Sequence, residues 1–312
     1  MNLRNKSLIV KRLQRLIVLF FIIIAVGLTV LIYRFAYKKS SHLMVFNGEN
    51  AYQHVVKQVG FGARVPGSQA HFLTQLYIQD ELSKNGWQID IQKGDFKGQQ
   101  IINIIACPQS CSTVERPWII LGAHYDSRIY ADHDLDITQR KFPVPGANDG
   151  ASGVAVLLEL ARVLPQNHEK SVWLVFFDAE DNGNIEGWEW IMGSTYFVEN
   201  LKSKPDAAVI VDMVGDTDLN IFKEHNSDII LTNEIWKVAN ELGYSNTFIS
   251  MLKYRMIDDH IPFINAGIPA VDIIDFDYPY FHTTSDTIDK VSWQSLSIVG
   301  DTLLTWLSMK QP

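Results

Sequence analysis

Six side chains able to bind a metal or move a proton fall in five short polar clusters. They are His124 in "GAHYDS", Asp149 in "GANDGASG", Glu180 and Asp181 in "FFDAEDNG", Asp212 in "VDMVGD" and His282 in "PYFHTTSD". Imidazole nitrogen and carboxylate oxygen together make a zinc donor set. The adjacent pair Glu180 and Asp181 suggests a division of work, with one carboxylate on the metal and the other free as general base. An extended backbone would point the two to opposite sides, whereas a turn would bring both to the site. Asp126 follows His124 by two residues. There it could orient that imidazole as a supporting carboxylate. Each cluster alone has a bland reading, since "NDG" is a common turn and a histidine after a strand is usually a satisfied polar residue. Weight comes from where the clusters fall relative to the elements that carry them.

Residues 118–122, 172–177, 207–213 and 270–274 are short apolar runs of buried-strand type, and 88–92 and 100–106 also read as strands. Helical spacing runs over 71–85, with Phe72, Leu76 and Leu82 in phase, and over 151–164, with Val154, Leu157, Leu158 and Ala161 on one face. Further helices are predicted over 233–242, stopped by Gly243, and over 293–307. Strands alternating with helices predict an α/β sandwich with a largely parallel sheet. The clusters stand at strand ends or helix starts, and carboxyl ends of strands in such a sheet converge on one crevice. The loop after "AHYDSR" carries Asp132, His133, Asp134 and Asp136, which could hold calcium but read more simply as a solvated loop. No internal repeat or low-complexity stretch is present.

Charge divides the chain unevenly. Its 312 residues carry a formal charge of −8, yet residues 1–39 hold eight basic residues and no acid. The remainder has 19 basic against 35 acidic residues, a poor surface for nucleic acid. Residues 16–33 are 18 uncharged positions, nearly enough helix to cross a hydrocarbon core of about 30 Å. Five basic residues precede this run and three follow it, which predicts a cytoplasmic N-terminus and an exported remainder. The expected organisation is a basic cytoplasmic tail over 1–15, a transmembrane signal anchor over 16–33, a tether over 34–50 and a catalytic domain over 51–312. A cleaved signal peptide is the alternative for the first segment, and it too exports the rest. Outside the cytoplasm Cys107 and Cys111 could pair as a small loop disulfide or remain free thiols.

The segments "GAHYDSR", "PGANDGASGVAVLLELA", "FFDAED", "DMVGD", "GIPA" and "FHTTSDT" resemble the zinc aminopeptidase superfamily, which also contains the animal-type glutaminyl cyclases (glutaminyl-peptide cyclotransferases). The resemblance covers nearly all of the exported part. It implies a three-layer α/β sandwich of phosphorylase/hydrolase type around a central mixed, mostly parallel sheet. In the cyclase branch it implies one zinc ion on Asp149, Asp181 and His282. Glu180 would be the proton carrier there, with Asp212 and Asp258 in a hydrogen-bond network. In the aminopeptidase branch it implies two zinc ions bridged by Asp149, with His124 and Asp212 completing the second site.

Asp258 in "DDHIPF", the basic Arg128 after "HYDS", and "GWEWIMGS" are more similar to the cyclases. Phe281 departs from them, because animal cyclases carry tryptophan there. The expected activity is conversion of N-terminal glutamine of peptides to pyroglutamate with release of ammonia. Hydrolysis of N-terminal residues is the alternative. Trp188 or Trp190, with Met256, Tyr278 and Phe281, are the candidate walls of the substrate pocket. A catalytically dead binding domain is disfavoured, because every ligand and the base are present.

Overall fold

The computed structural model describes residues 45–108, 111, 118–164 and 171–309, and the single positions 24 and 27. The predicted tail, the anchor apart from those two positions, and most of the tether therefore lie outside the described residues. Among those described, no helix is long and apolar enough to cross a membrane.

In chain order the elements are α1 (Gly48–Val59), α2 (Gln69–Lys84), β1 (Gln88–Phe96), β2 (Gln99–Cys107), β3 (Trp118–His124), α3 (Ala151–Val163) and β4 (Ser171–Phe177). They continue with α4 (Met192–Glu199), β5 (Ala207–Asp212), β6 (Ile221–Lys223), α5 (Ile229–Glu241), β7 (Phe248–Leu252), α6 (Ile261–Asn265), β8 (Ala270–Ile274) and α7 (Trp293–Met309). One six-stranded sheet has the order β1-β2-β4-β3-β5-β8, and β6 and β7 pair separately. The pairs β1–β2 and β2–β4 are antiparallel, while β4, β3, β5 and β8 run parallel.

Alternation along the central strands builds two cores. Ile119, Leu121, Val172, Leu174, Phe176, Val209 and Val211 pack with residues of α1, α2, α3, α5 and α7. Trp118, Ile120, Trp173, Val175, Phe177 and Ile210 point the other way and pack with Phe197 of α4 and Phe263 of α6. Helices thus cover both faces of a mixed sheet, which is why the parallel strands are apolar throughout.

Helix α3 lies at the centre of the larger layer, with twelve of its thirteen residues buried. Each fully buried Val or Leu contributes about 1.5–3 kcal/mol, so this helix is fixed by packing. A Cβ on Gly153 would stand 2.0 Å from the Val211 carbonyl oxygen, so glycine lets α3 lie directly on β5. Gly150, just before the helix, has φ +87°, and a Cβ there would meet the Asp126 carbonyl at 2.4 Å.

Topology places the crevice. Chain from β3 moves through α3 to β4 on one side, then through α4 to β5 on the other side of β3. The strand order reverses at β3, and the cleft outside that point is where ligands bind in open α/β sheets.

Several elements exceed what periodicity predicted. The folded unit begins inside the expected tether. Phe46 is buried, Asn47 caps α1 by accepting from the Glu49 and Asn50 amides, and α1 starts at Gly48. Helix α5 starts four residues before the predicted 233, because the Asp228 carboxylate accepts from the amides of Ile230 and Leu231. Short elements α4, α6, β6 and β7 were not anticipated. Cys107 and Cys111 are joined as a disulfide, one of the two alternatives the sequence left open.

Candidate metal centre and active site

The five clusters converge. His124 ends β3 and Asp212 ends β5, Asp149 stands just before α3, Glu180 and Asp181 follow β4, and His282 lies in the loop after β8. His124 Nε2 is 3.2 Å from Asp149 Oδ1 and 3.1 Å from Asp212 Oδ1. His282 Nε2 is 2.7 Å from Asp181 Oδ1 and 3.7 Å from Asp149 Oδ2. Two donor sets result, His124/Asp149/Asp212 and Asp149/Asp181/His282, and they share Asp149.

The backbone is bent to achieve this. Six non-glycine residues have positive φ among the described residues, and five flank the site: Ala179, Asn184, Ile191, Met213 and His282 itself. Such conformations cost on the order of 1–3 kcal/mol each and persist only where the surroundings impose them. Ala179 at φ +52° turns the chain after β4, so a turn, not an extended strand, presents Glu180 and Asp181 to the site. Asp126 secures that turn. It accepts the Glu180 amide at 3.0 Å, the Asp181 amide at 3.4 Å and Asn182 Nδ2 at 3.1 Å. Its expected role beside His124 is weaker. Oδ1 lies 3.4 Å from His124 Nδ1, and that nitrogen has no aligned hydrogen-bond partner. Asp149 is held by its backbone, its amide donating to Asp286 Oδ2 at 3.2 Å and its carbonyl accepting from Arg64 at 3.1 Å.

Electrostatics separate the acids. Burial lifts Glu180 well above the ordinary carboxylate range, and the charges of Asp258, Asp181 and Asp259 add to this against the pull of His124. Burial likewise pushes Asp212 up to about 7 and Asp181 up to about 6. Asp149 goes the other way. Burial opposes its ionisation, but His124, His282 and Arg64 outweigh it and hold this acid below its usual value. The carboxylate common to both donor sets is thus the most acidic of the four.

A divalent cation fits these residues. Asp149 Oδ2 and Asp181 Oδ2 are buried without a hydrogen-bond donor, which is costly unless something positive meets them. Carboxylate and imidazole around one point are a zinc donor set. Beside them lies a cavity of about 250 Å³, lined by Glu180, Asp212 and Asp258 and walled by Trp190, Met256, Ile274, Phe276 and Phe281. Two expected wall residues are elsewhere. Trp188 packs against the cluster of Ile101, Ala179 and Met192, because the chain between it and Trp190 turns only one of the two rings inward. Tyr278 is buried behind the cavity, where its hydroxyl donates to Asp286 at 2.7 Å. Arg128, Asp132, His133 and Ile257 also line the cavity. Of these the sequence singles out Arg128 for its charge alone, and Asp132 and His133 only as part of a loop read as solvated or calcium-holding.

The model of Peptidase family M28 matches residues 103–307. This chain belongs to that family. Among solved structures it is similar to the glutaminyl cyclase of Tannerella forsythia, with 33% identity and a TM-score of 0.79, covering 86% of this chain and 100% of that one. It is equally similar to a leucine aminopeptidase precursor of Bacteroides thetaiotaomicron VPI-5482, at 33% identity and a TM-score of 0.79, covering 86% of this chain and 98% of that one. In sequence it is 28% identical over 224 residues to aminopeptidase YwaD of Bacillus subtilis strain 168, covering 66% of this chain but only 44% of that protein. Both reactions therefore occur among the names of its relatives. The expected zinc enzyme class holds at this level.

Proposed function

We propose that this chain is a zinc-dependent glutaminyl-peptide cyclotransferase, held at a membrane by residues 16–33 with its catalytic part outside the cytoplasm. The observation that carries the reading is Asp258. It is buried, lines the cavity with Glu180 and Asp212, and its charge helps to raise both. Grouped carboxylates of raised basicity suit a proton passed between two nitrogens near neutral pH. The cavity, at about 250 Å³, lies below the range of about 300–1,000 Å³ typical of larger ligands, so it suits one side chain.

The side chain of an N-terminal glutamine enters between Trp190 and Phe281. Zinc on Asp149, Asp181 and His282 would polarise its amide carbonyl as a Lewis acid. The peptide's own α-amine attacks that carbon, and the new C–N bond closes the ring. Glu180 accepts a proton from the amine and returns one to the departing ammonia. Burial first, and then the charge of Asp258, keep Glu180 basic enough for both transfers.

One observation favours a second reading. His124, Asp149 and Asp212 form another donor set, as a two-metal aminopeptidase would need. Mass spectrometry of a glutamine-initiated and a leucine-initiated peptide, each incubated with enzyme and zinc, separates the two. Loss of ammonia from the first peptide, with the second untouched, is expected. Free leucine from the second, with no mass loss in the first, would leave the aminopeptidase reading standing alone.

A further inference from the structure

His282 is the single imidazole of the Asp149/Asp181/His282 set, and its Nε2 faces both carboxylates. A histidine that ligates through Nε2 carries its proton on Nδ1, and that N–H normally needs an acceptor. His282 Nδ1 is buried and has no hydrogen-bond partner. Asp132 Oδ1 lies 3.8 Å from it, within about 1 Å of hydrogen-bond length.

Asp132 is 41% exposed and would ordinarily swing into water, yet it is clamped. Arg128 Nε donates to its Oδ1 at 2.8 Å and Nη2 to its Oδ2 at 2.6 Å, a bidentate fork. Arg128 is itself only 2% exposed. Its Nη1 donates to the Asp181 carbonyl at 2.6 Å and Nη2 to the Gly183 carbonyl at 3.1 Å. The guanidinium lies 4.9 Å from the Trp190 ring, which runs parallel to His282 at 6.0 Å. One buried cation therefore grips the backbone of one ligand and the carboxylate nearest the free nitrogen of another. His133, whose ring is 4.9 Å from that of His282, is exposed, and the Arg128 guanidinium paired with Asp132 opposes a second cation there. These three are thus poorly placed as a separate metal site.

We propose that Arg128 and Asp132 are a positioning pair. Asp132 accepts the Nδ1–H of His282, Arg128 holds Asp132 in place to do so, and together they set the affinity for zinc. Neither is a catalytic residue, and the role is the same whether the reaction is cyclisation or hydrolysis.

The test is zinc affinity of the whole protein, read by competition with a chromophoric chelator. Asp132→Ala is expected to weaken zinc by about 10–100-fold, the usual effect of removing such a partner. Asp132→Asn, which keeps an acceptor oxygen, should retain part of the affinity. Arg128→Lys keeps the charge but loses the fork, and should weaken zinc in the parent much more than in the Asp132→Ala background. Proton NMR supplies a signature that a purely structural role would not move. The His282 Nδ1–H should be protected from exchange in the zinc-loaded parent and unprotected in Asp132→Ala. Thermal melts of the metal-free proteins separate this from general unfolding. If Asp132→Ala does not fold, Asp132→Val, which also lacks an acceptor, is compared with the parent by the same two readouts. Zinc affinity within about threefold of the parent in a folded variant without the acceptor, or an unchanged Nδ1–H signal in it, overturns the proposal.

Discussion

Two buried groupings of carboxylates and imidazole stand near each other, and only one opens on the cavity. The metal centre gathers Asp149, Asp181 and His282, with His124 and Asp212. The other gathers Glu224, His260 and Asp272, with His260 Nε2 at 3.3 Å from Glu224 Oε2 and Nδ1 at 3.8 Å from Asp272 Oδ2. Their chemical composition is nearly the same, and the second also holds unpartnered atoms, both Asp272 oxygens and both His260 ring nitrogens, but their surroundings differ. Glu224 accepts the amides of Asn226, Ser227 and Met256 and the Ser227 hydroxyl, and so ties residues 224–227 to 256. Asp272 is pushed well above the ordinary carboxylate range, by burial first and then by the charges of Asp258, Asp212 and Glu224. In the metal centre Asp149 and Asp181 each keep a carboxylate oxygen free beside a cavity. Acids and histidines in one place are therefore not enough to mark a metal site. What marks it is unsatisfied carboxylate oxygens on residues that line a shared cavity. Asp258 stands between the two groupings, lining the cavity while its charge acts on both Glu180 and Asp272.

The comparison breaks most visibly at Glu180 and its neighbour. Glu180→Gln is expected to keep zinc and lose about 10²–10⁴-fold in turnover, the range for removing a general base. Asp181→Ala and His282→Ala should lose the metal as well. Metal analysis beside steady-state kinetics checks this, and Glu180→Gln arriving without zinc while Asp181→Ala retains it would exchange the two roles. Next in size is Asp258→Ser. It should weaken cyclisation by more than about tenfold with zinc content unchanged, because it alters the proton network without touching a ligand. A variant as active as the parent would show that Asp258 belongs only to the polar grouping behind the cavity.

Much of the site was legible because its chemistry sits at predictable joints. Asp149 stands before an apolar helix, His124 and Asp212 end apolar strands, and those positions follow from periodicity alone. His282 was harder. It lies in an irregular loop at φ +56°, and no periodicity reports such a position, so its role came from the resemblance. Helix α4 was invisible because Ile191 enters it from a left-handed conformation with no side-chain cap. Trp188 and Trp190 could not be told apart, since a bend in the backbone decided which ring faces the cavity. The Arg128–Asp132 fork was equally hidden, because a charged pair in a loop looks like solvated surface until its burial is known. Asn47 and Asp228 are the opposite case. Both are ordinary capping residues, and weighing them would have placed the starts of α1 and α5.

The smallest effect sharpens the comparison from the other side. Glu224→Gln should leave zinc content and turnover close to the parent while lowering stability by about 2–4 kcal/mol, because an amide cannot replace a carboxylate among several converging donors. The loss should depend on pH in a defined direction. Burial alone would raise Glu224, but His260 and the amides of Asn226 and Met256 outweigh it and hold its carboxyl down at about 2, below the ordinary 4.5. A carboxyl depressed on folding contributes stability that is present above its unfolded pKa and is lost as pH falls through its folded pKa. The gap between parent and variant should therefore be full at pH of about 6 and shrink between about 4.5 and 2. The parent's own curve is no guide. Asp212 and Asp275 are both raised to about 7, and acids raised on folding contribute with the opposite sign over the range in which only the folded state holds the proton. Subtracting the variant's curve from the parent's removes those shared contributions and leaves Glu224. Urea melts of both proteins across that range measure the difference, and a gap that stays constant down to pH 3 would mean that Glu224 is not held ionised by its donors.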